Sequence, residues 1–296
     1  KYTSFLDVVN PMHRMWTDKR WNKLTISHGC YWSQCSFCDV SLDYIGNYQN
    51  TTADRLVDKI EKIMADTGIT GFHFVDEAAP PKMLKALSKA LIEREVEITW
   101  WTNIRFEKTF NAELCELMAK AGCIAVTGGL EVASDRLLAK MKKGVDIAQV
   151  SRVTHHFSQN NIMVHAYLMY GFPTETQQET IDSLEVVRQL FEQNCIQSAF
   201  WHLFTTTVHS PIGKNPEAFG IQITGPEFHG FAQNDLWHED PEGTDHQAYT
   251  QGLNTALHHY LNRTGFDKDV TEWFDFPVVP SSHPKDLIKG FLDEVH

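Results

Sequence analysis

Nowhere in this 296-residue sequence does an apolar run approach the roughly 18–20 residues that a membrane-spanning helix needs. The N-terminus, Lys1-Tyr2-Thr3-Ser4, lacks the basic-then-apolar pattern of a secretory signal. With neither feature, the expected compartment is the cytoplasm. An initiator Met is missing as well, so a cut from a longer polypeptide is expected. Basic charge is scarce: 26 Lys and Arg stand against 38 Asp and Glu, a net charge of −12. No basic run is present to track a phosphate backbone, which argues against a nucleic-acid partner. No Gly-rich phosphate loop and no nucleophile elbow is found. What remains is an ordinary globular composition, 42% hydrophobic and 22% charged, in a chain long enough for one large α/β domain or two small ones.

Cysteine is sparse too, but its distribution is informative. Of six cysteines, Cys115, Cys123 and Cys195 are scattered through apolar-patterned segments. The other three, Cys30, Cys35 and Cys38, fall in one run, Gly29-Cys30-Tyr31-Trp32-Ser33-Gln34-Cys35-Ser36-Phe37-Cys38-Asp39. In a chain with no export signal this favours a reducing compartment and a metal site over a disulfide framework. Three soft ligands are one short of closing a tetrahedral site, so a fourth comes from elsewhere or a metal position stays open for chemistry.

From Lys23 to about Thr206 strand-like and helical patterns alternate. The strand-like runs are 24–27, 71–75, 98–103, 124–128, 162–169 and 198–204. Helical patterns read at 53–65, 82–94, 111–121, 146–159 and 177–193; in the last, Ile181, Leu184, Val187, Leu190 and Phe191 form an apolar face. Thr52 and Gly68 punctuate the first helix, Asn111 and Gly122 the third. Alternation repeated six times predicts an α/β fold with a parallel sheet. Six units fall short of a full barrel, so a partial, TIM-like (β/α)6 barrel is expected, with a doubly wound open sheet as the alternative. We expect a lead-in over residues 1–22, the barrel over 23–206, and an irregular, partly helical extension over 207–296. The extension is expected to cover the barrel and shape the substrate pocket, with the segment holding Trp273, Phe274 and Phe276 against an open end or edge.

In either architecture the ligand site lies at the carboxyl ends of the strands. Those ends carry His28, Gly29 and Cys30, then Asp76 and Glu77, Asn103 and Arg105, Gly129 and Glu131, and Gly171.

The loop Cys30-x4-Cys35-x2-Cys38, placed after a first strand and with Phe37 before its last cysteine, resembles the cluster loop of radical S-adenosylmethionine enzymes. The commonest form has three residues in the first gap; the four found here, with the Gly29-Cys30-Tyr31-Trp32 start, resemble cobalamin-associated members. The resemblance covers about residues 23–206. It implies that three thiolates hold a [4Fe–4S] cluster whose fourth iron is left for the amino and carboxylate groups of S-adenosylmethionine. It implies reductive cleavage of the sulfonium to methionine and a 5′-deoxyadenosyl radical, which takes hydrogen from a small-molecule or peptide substrate. A cobalamin-linked methyltransferase or related modifying enzyme would follow, with cobalamin on a domain before Lys1 and an electron donor such as flavodoxin or ferredoxin.

The resemblance also assigns second-tier positions. Asp76 or Glu77 would accept from the methionine ammonium; alternatively, one of these carboxylates caps the helix entered through Pro80-Pro81. Glu131 would approach the ribose hydroxyls and Lys143 the methionine carboxylate. Gly171, in Tyr170-Gly171-Phe172-Pro173-Thr174-Glu175-Thr176, would let backbone approach the adenine, with Glu175 structural. Asn103 and Arg105 face the same mouth, Arg105 as a substrate contact or as half of an ordinary ion pair. His202 is the histidine to watch. The rival class is a non-catalytic metal protein: structural zinc with His28 as a fourth ligand, an electron-transfer cluster, or a Cys35-x-x-Cys38 redox pair.

Overall fold

The strand-like runs become one parallel sheet of six strands: β1 (Asn22–Leu24), β2 (Gly71–Phe74), β3 (Thr99–Ile104), β4 (Cys123–Glu131), β5 (Met163–Tyr170) and β6 (Ser198–Leu203). The computed structural model describes residues 20–227 and 234–294, so most of the expected lead-in lies outside the described residues. Helices α1 (Ala53–Thr67), α2 (Pro81–Glu93), α3 (Ala112–Lys120), α4 (Asp135–Lys140), α5 (Ile147–Gln159) and α6 (Gln177–Glu192) fill the crossovers. Spatial order follows sequence order from β1 to β6. A doubly wound sheet reverses its order at a switch point; this one does not, and right-handed crossovers then put every helix on one face. The architecture is the partial barrel, with β1 and β6 at its two edges among the described residues.

Register fixes which side chains meet which layer. Leu24, Phe74, Thr102, Val126 and Val164 line up across the sheet on the helix side. The next row, Lys23, His73, Trp101, Ala125 and Met163, faces the concave side. Phe72, Phe74, Trp100 and Val126 are wholly buried against Leu56, Val57, Ile60, Leu84 and Leu87 of the helices. The concave face is open: Tyr167 and Phe200 are 39% and 56% exposed.

Several boundaries follow from named groups. The Thr52 side chain accepts from Arg55 N–H at the start of α1, and Gly68 ends it with φ 68°. Asn111 caps α3 through Leu114 N–H, and Thr176 caps α6 in a reciprocal box with Glu179. The first strand departs from expectation. It leaves the sheet after Leu24, and Ser27–His28 instead pairs antiparallel with Gln49–Asn50. The reason is Asp76, whose carboxylate takes the N–H groups of Ile26 and Ser27 at 2.9 and 2.7 Å, donors that a continuing ladder would need.

After β6 the chain is less irregular than its composition suggests. Strands β7 (Thr206–Thr207), β8 (Gln222–Gly225) and β9 (Asp235–Glu239) make a small antiparallel sheet, and α7 (Thr250–Leu261) and α8 (Leu287–Asp293) follow. Strands this short are hard to see between Pro216, Gly220 and Pro226. The tail packs over α6, whose polar side is covered as fully as its apolar side. Asp182 accepts from Ser281 and Ser282, and buried Glu185 pairs with Arg188 at 2.7 Å. Trp273 and Phe274 pack beside α7: the Trp273 indole donates to Tyr260 at 3.0 Å, and Phe274 stacks edge-on to Tyr249.

Candidate active site at the cysteine loop

The cysteine loop starts with a turn only glycine enters cheaply. Gly29 has φ 72°, and a Cβ there would stand 2.8 Å from the carbonyl oxygens of both Ile45 and Asn47. Cys30 donates its N–H to Ile45 O at 2.8 Å and bridges to Ala78, beside the end of β2. Farther on, Ser36 N–H donates to Met141 O at 2.9 Å, while Ser36 O accepts from Ile212 N–H at 3.1 Å. Asp39, buried, accepts from Thr207 Oγ1 at 2.5 Å and Asn234 Nδ2 at 2.9 Å. The loop is therefore pinned by the sheet, by the turn after α4 and by the C-terminal extension.

All three cysteines open onto one cavity of about 320 Å³, whose wall also carries Glu77, Glu131 and Lys143. That volume lies at the lower end for small-molecule sites. Asn103, Arg105, Thr127 and Tyr167 complete the strand side. Glu131 and Lys143 are both buried and paired at 2.5 Å. Glu131 holds φ 62°, an uncommon conformation for a residue with a side chain, at a register break in the β4–β5 ladder. The pair closes over Gly129: a Cβ there would come 1.9 Å from Glu131 Oε1 and 2.6 Å from Lys143 Nζ, so the two side chains would have to shift.

Burial pulls the Lys143 pKa down, but the Glu131 carboxylate and the nearby Cys35 sulfur outweigh it and hold the pKa above the usual value. The Cys38 thiol hydrogen-bonds to Cys35 and, with the Lys143 and Arg105 cations, favours ionised Cys35; Cys38 is pushed up by the same bond and by burial. Burial raises Glu77, and Asp76 adds to the shift. All six cysteines are free thiols. Among the described residues no group of three or more His, Cys, Asp or Glu side chains stands close enough to grip one metal ion. In an iron–sulfur cube each thiolate binds a different iron. The donor set, three thiols on a polar cavity with ionised Lys143 near them, fits a [4Fe–4S] cluster.

The sequence model of the Radical SAM superfamily matches residues 24–187, more than half of the chain. The chain belongs to that superfamily. Radical SAM proteins use a [4Fe–4S] cluster and S-adenosylmethionine, so the catalytic reading stands and the non-catalytic metal protein is not supported. An uncharacterised methyltransferase of Pyrococcus horikoshii is 26% identical over 166 residues, 55% of this chain and 36% of that protein. The anaerobic magnesium-protoporphyrin IX monomethyl ester cyclase of Rubrivivax gelatinosus is 25% identical over 203 residues, 66% of this chain and 36% of that protein. Among solved structures, the radical S-adenosylmethionine methyltransferase TsrM from Kitasatospora setae, with tryptophan substrate and a SAM analogue bound, gives a TM-score of 0.64. It is 18% identical and covers 86% of this chain and 54% of that one. OxsB, a cobalamin-dependent S-adenosylmethionine radical enzyme with aqua-cobalamin bound, gives 0.56 at 14% identity, covering 79% and 40%. Likeness at these identities shows the fold. The chain spans about a third of the length of these two curated relatives, 36% of each.

Within the radical SAM domain the expected residues divide. The three cysteines, Glu77, Glu131 and Lys143 meet at the cavity. Asp76 does not reach its wall; its carboxylate is spent on Ile26, Ser27 and the Ser27 hydroxyl, and it caps no helix. Gly171 also lies off the wall, against Leu203 and His246, and gives its N–H to Glu175 at 2.7 Å. Glu175, fully buried, also takes Phe172 N–H and the Thr180 hydroxyl, as a structural residue does. His202 sits on the concave face beside Phe200, away from the cavity wall. Arg105, expected at the mouth, lines the cavity and pairs with Glu107; sequence reasoning missed Asp39 and the joining of Tyr31 and Trp32 to that pair. The contacts of Asp39, of Tyr31 with Glu107 and of Trp32 with Arg105 span between 70 and about 200 positions, and no local spacing marks them.

Proposed function

We propose that this chain is the radical-generating part of a longer enzyme, with Cys30, Cys35 and Cys38 as the iron ligands and S-adenosylmethionine in the adjoining cavity. The observation that carries the reading is convergence: the three thiols and the cavity's acid and base side chains meet at the carboxyl ends of the strands. When bound, the cluster and S-adenosylmethionine supply reductive cleavage of the sulfonium to methionine and a hydrogen-abstracting 5′-deoxyadenosyl radical. Glu77, on the wall and not spent on backbone, is placed to accept from the methionine ammonium. The Glu131–Lys143 pair offers a carboxylate to ribose hydroxyls and an ammonium to the methionine carboxylate. Phe37, over which Lys143 Nζ lies at 5.5 Å, shields the sulfurs from water.

The small-molecule or peptide substrate enters from the open concave face, where Tyr167 links that face to the cavity. The similarity to TsrM and OxsB, whose structures hold cobalamin, supports a cobalamin-linked methyltransferase or related modification, with cobalamin on a part of the protein outside these residues. A flavodoxin- or ferredoxin-type donor provides the electron. Free thiols throughout support a reducing compartment, the cytoplasm.

Anaerobic reconstitution tests the reading. The expected result is uptake of about four irons and release of 5′-deoxyadenosine after reduction with S-adenosylmethionine. Ala at Cys30, Cys35 or Cys38 abolishes iron binding, whereas Cys115→Ala and Cys195→Ala leave it intact. Stoichiometric zinc without a cluster, or iron lost in either of the last two variants, overturns it.

A further inference from the structure

Arg105 is 5% exposed, at the carboxyl end of β3, and its guanidinium is shared among four groups. Nε donates to Glu107 Oε1 at 3.0 Å, and Nη2 donates to the carbonyl of Lys143. Nη1 stands 3.9 Å from Cys35 Sγ, and the guanidinium carbon lies 4.3 Å over the Trp32 ring. An ordinary ion pair accounts for the first contact alone. The others reach the cysteine loop on one side and the Lys143 turn on the other. The same two segments are joined again where Trp32 Nε1 donates to Lys142 O at 2.9 Å. Glu107 is itself held by the Tyr31 hydroxyl at 2.8 Å, so the anchor also belongs to the cysteine loop.

We propose that Arg105 is a positioning residue that clamps the cysteine loop to the Lys143 turn and makes the bound cluster easier to reduce. This rests on the proposed ligation by Cys30, Cys35 and Cys38. Two physical effects act in one direction. An N–H aimed at a ligand sulfur draws charge from it, and a fixed cation in a buried site favours the more negative oxidation state of whatever lies beside it. Arg is suited to this and Lys is not equivalent, because only the planar fork reaches a carboxylate, a carbonyl, a sulfur and a ring at once.

The test uses the full chain in two forms. In the reconstituted protein, Arg105→Gln should take up iron but lower the equilibrium constant for one-electron reduction roughly tenfold. That is a midpoint about 59 mV more negative, read by mediated spectroelectrochemistry. Arg105→Lys keeps the charge and should recover most of that shift. In the apo protein both variants should speed amide hydrogen exchange in peptides covering 30–38 and 141–144, where Ser36 N–H bonds to Met141 O. Wild-type midpoint at full iron content in Arg105→Gln overturns the electrostatic part, and unchanged exchange in Arg105→Lys overturns the clamp. A wild-type protein that binds no cluster overturns the ligation itself, a result distinct from either.

Discussion

The buried pair of Glu131 and Lys143 gives the sharpest quantitative expectation. The two residues are 6% and 8% exposed, paired at 2.5 Å, and set beside Gly129. Removing one partner of such a pair leaves an uncompensated charge and costs about 3–5 kcal/mol, whereas replacing both with apolar groups is close to neutral. Glu131→Leu and Lys143→Met should therefore each lower apo-protein stability by about 3–5 kcal/mol. With a urea dependence of about 3 kcal/mol per molar, that is a midpoint shift of about 1–1.7 M, followed by tryptophan fluorescence under reducing conditions. The double variant should regain most of the loss, giving a coupling of at least about 2 kcal/mol. The pH dependence carries a second signature. In Glu131→Leu, burial acts on Lys143 without its carboxylate, so its folded pKa falls below the unfolded value. The unfolded chain then binds the extra proton, and stability rises with pH toward the ordinary lysine range. Single variants within about 0.5 kcal/mol of wild type, or additive losses in the double variant, refute the reasoning.

Two further outcomes follow from buried carboxylates. Asp76→Ala leaves the buried N–H groups of Ile26 and Ser27 without their acceptor and should cost about 2–4 kcal/mol in urea unfolding; a loss under about 1 kcal/mol would show that the strand exit is held by something else. Burial raises Glu175 to about 7, so the fold holds its proton more tightly than the unfolded chain does. That stabilisation is full below the unfolded carboxylate pKa and is lost as pH rises through about 7, by up to about 3 kcal/mol. Glu175→Gln should flatten this slope between pH 5 and 8, and parallel wild-type and variant profiles would count against it.

Most of the barrel was legible because each unit carries its own local signal. Helix α1 buries Leu56, Val57 and Ile60 at helical spacing between the caps Thr52 and Gly68, and nothing distant is needed to place it. That the three cysteines would meet was legible for the same reason, since their spacing lies within one loop. Which of Asp76 and Glu77 faces the cavity was not. Adjacent acids at a strand end look alike until the chain returns fifty positions earlier and presents the Ile26 and Ser27 amides to one of them. The extension after residue 206 was the least legible part. Its order depends on α6, where Asp182, Glu185, Arg188 and Gln189 receive the tail through contacts spanning 78 to about 100 positions.

These long-range contacts bear on how the site keeps its shape. The loop that carries the three thiols has an order of its own, independent of anything they would hold. Here the order comes from groups that face away from the cavity. Gly29 sets the turn, Ser36 is bonded on both sides of its peptide, and Asp39 takes two donors from residues 207 and 234. These anchors belong to three separate stretches of chain, the sheet edge, the Lys143 turn and the extension, so each holds a different part of the loop. The same arrangement accounts for the strain at Glu131. A residue with φ 62° persists where its surroundings over-determine it, and here the Lys143 ammonium, the Gly129 floor and the β5 ladder do so together. The polar face of the cavity and the cysteine loop are thus two sides of one braced structure, and Arg105 is the side chain that touches both.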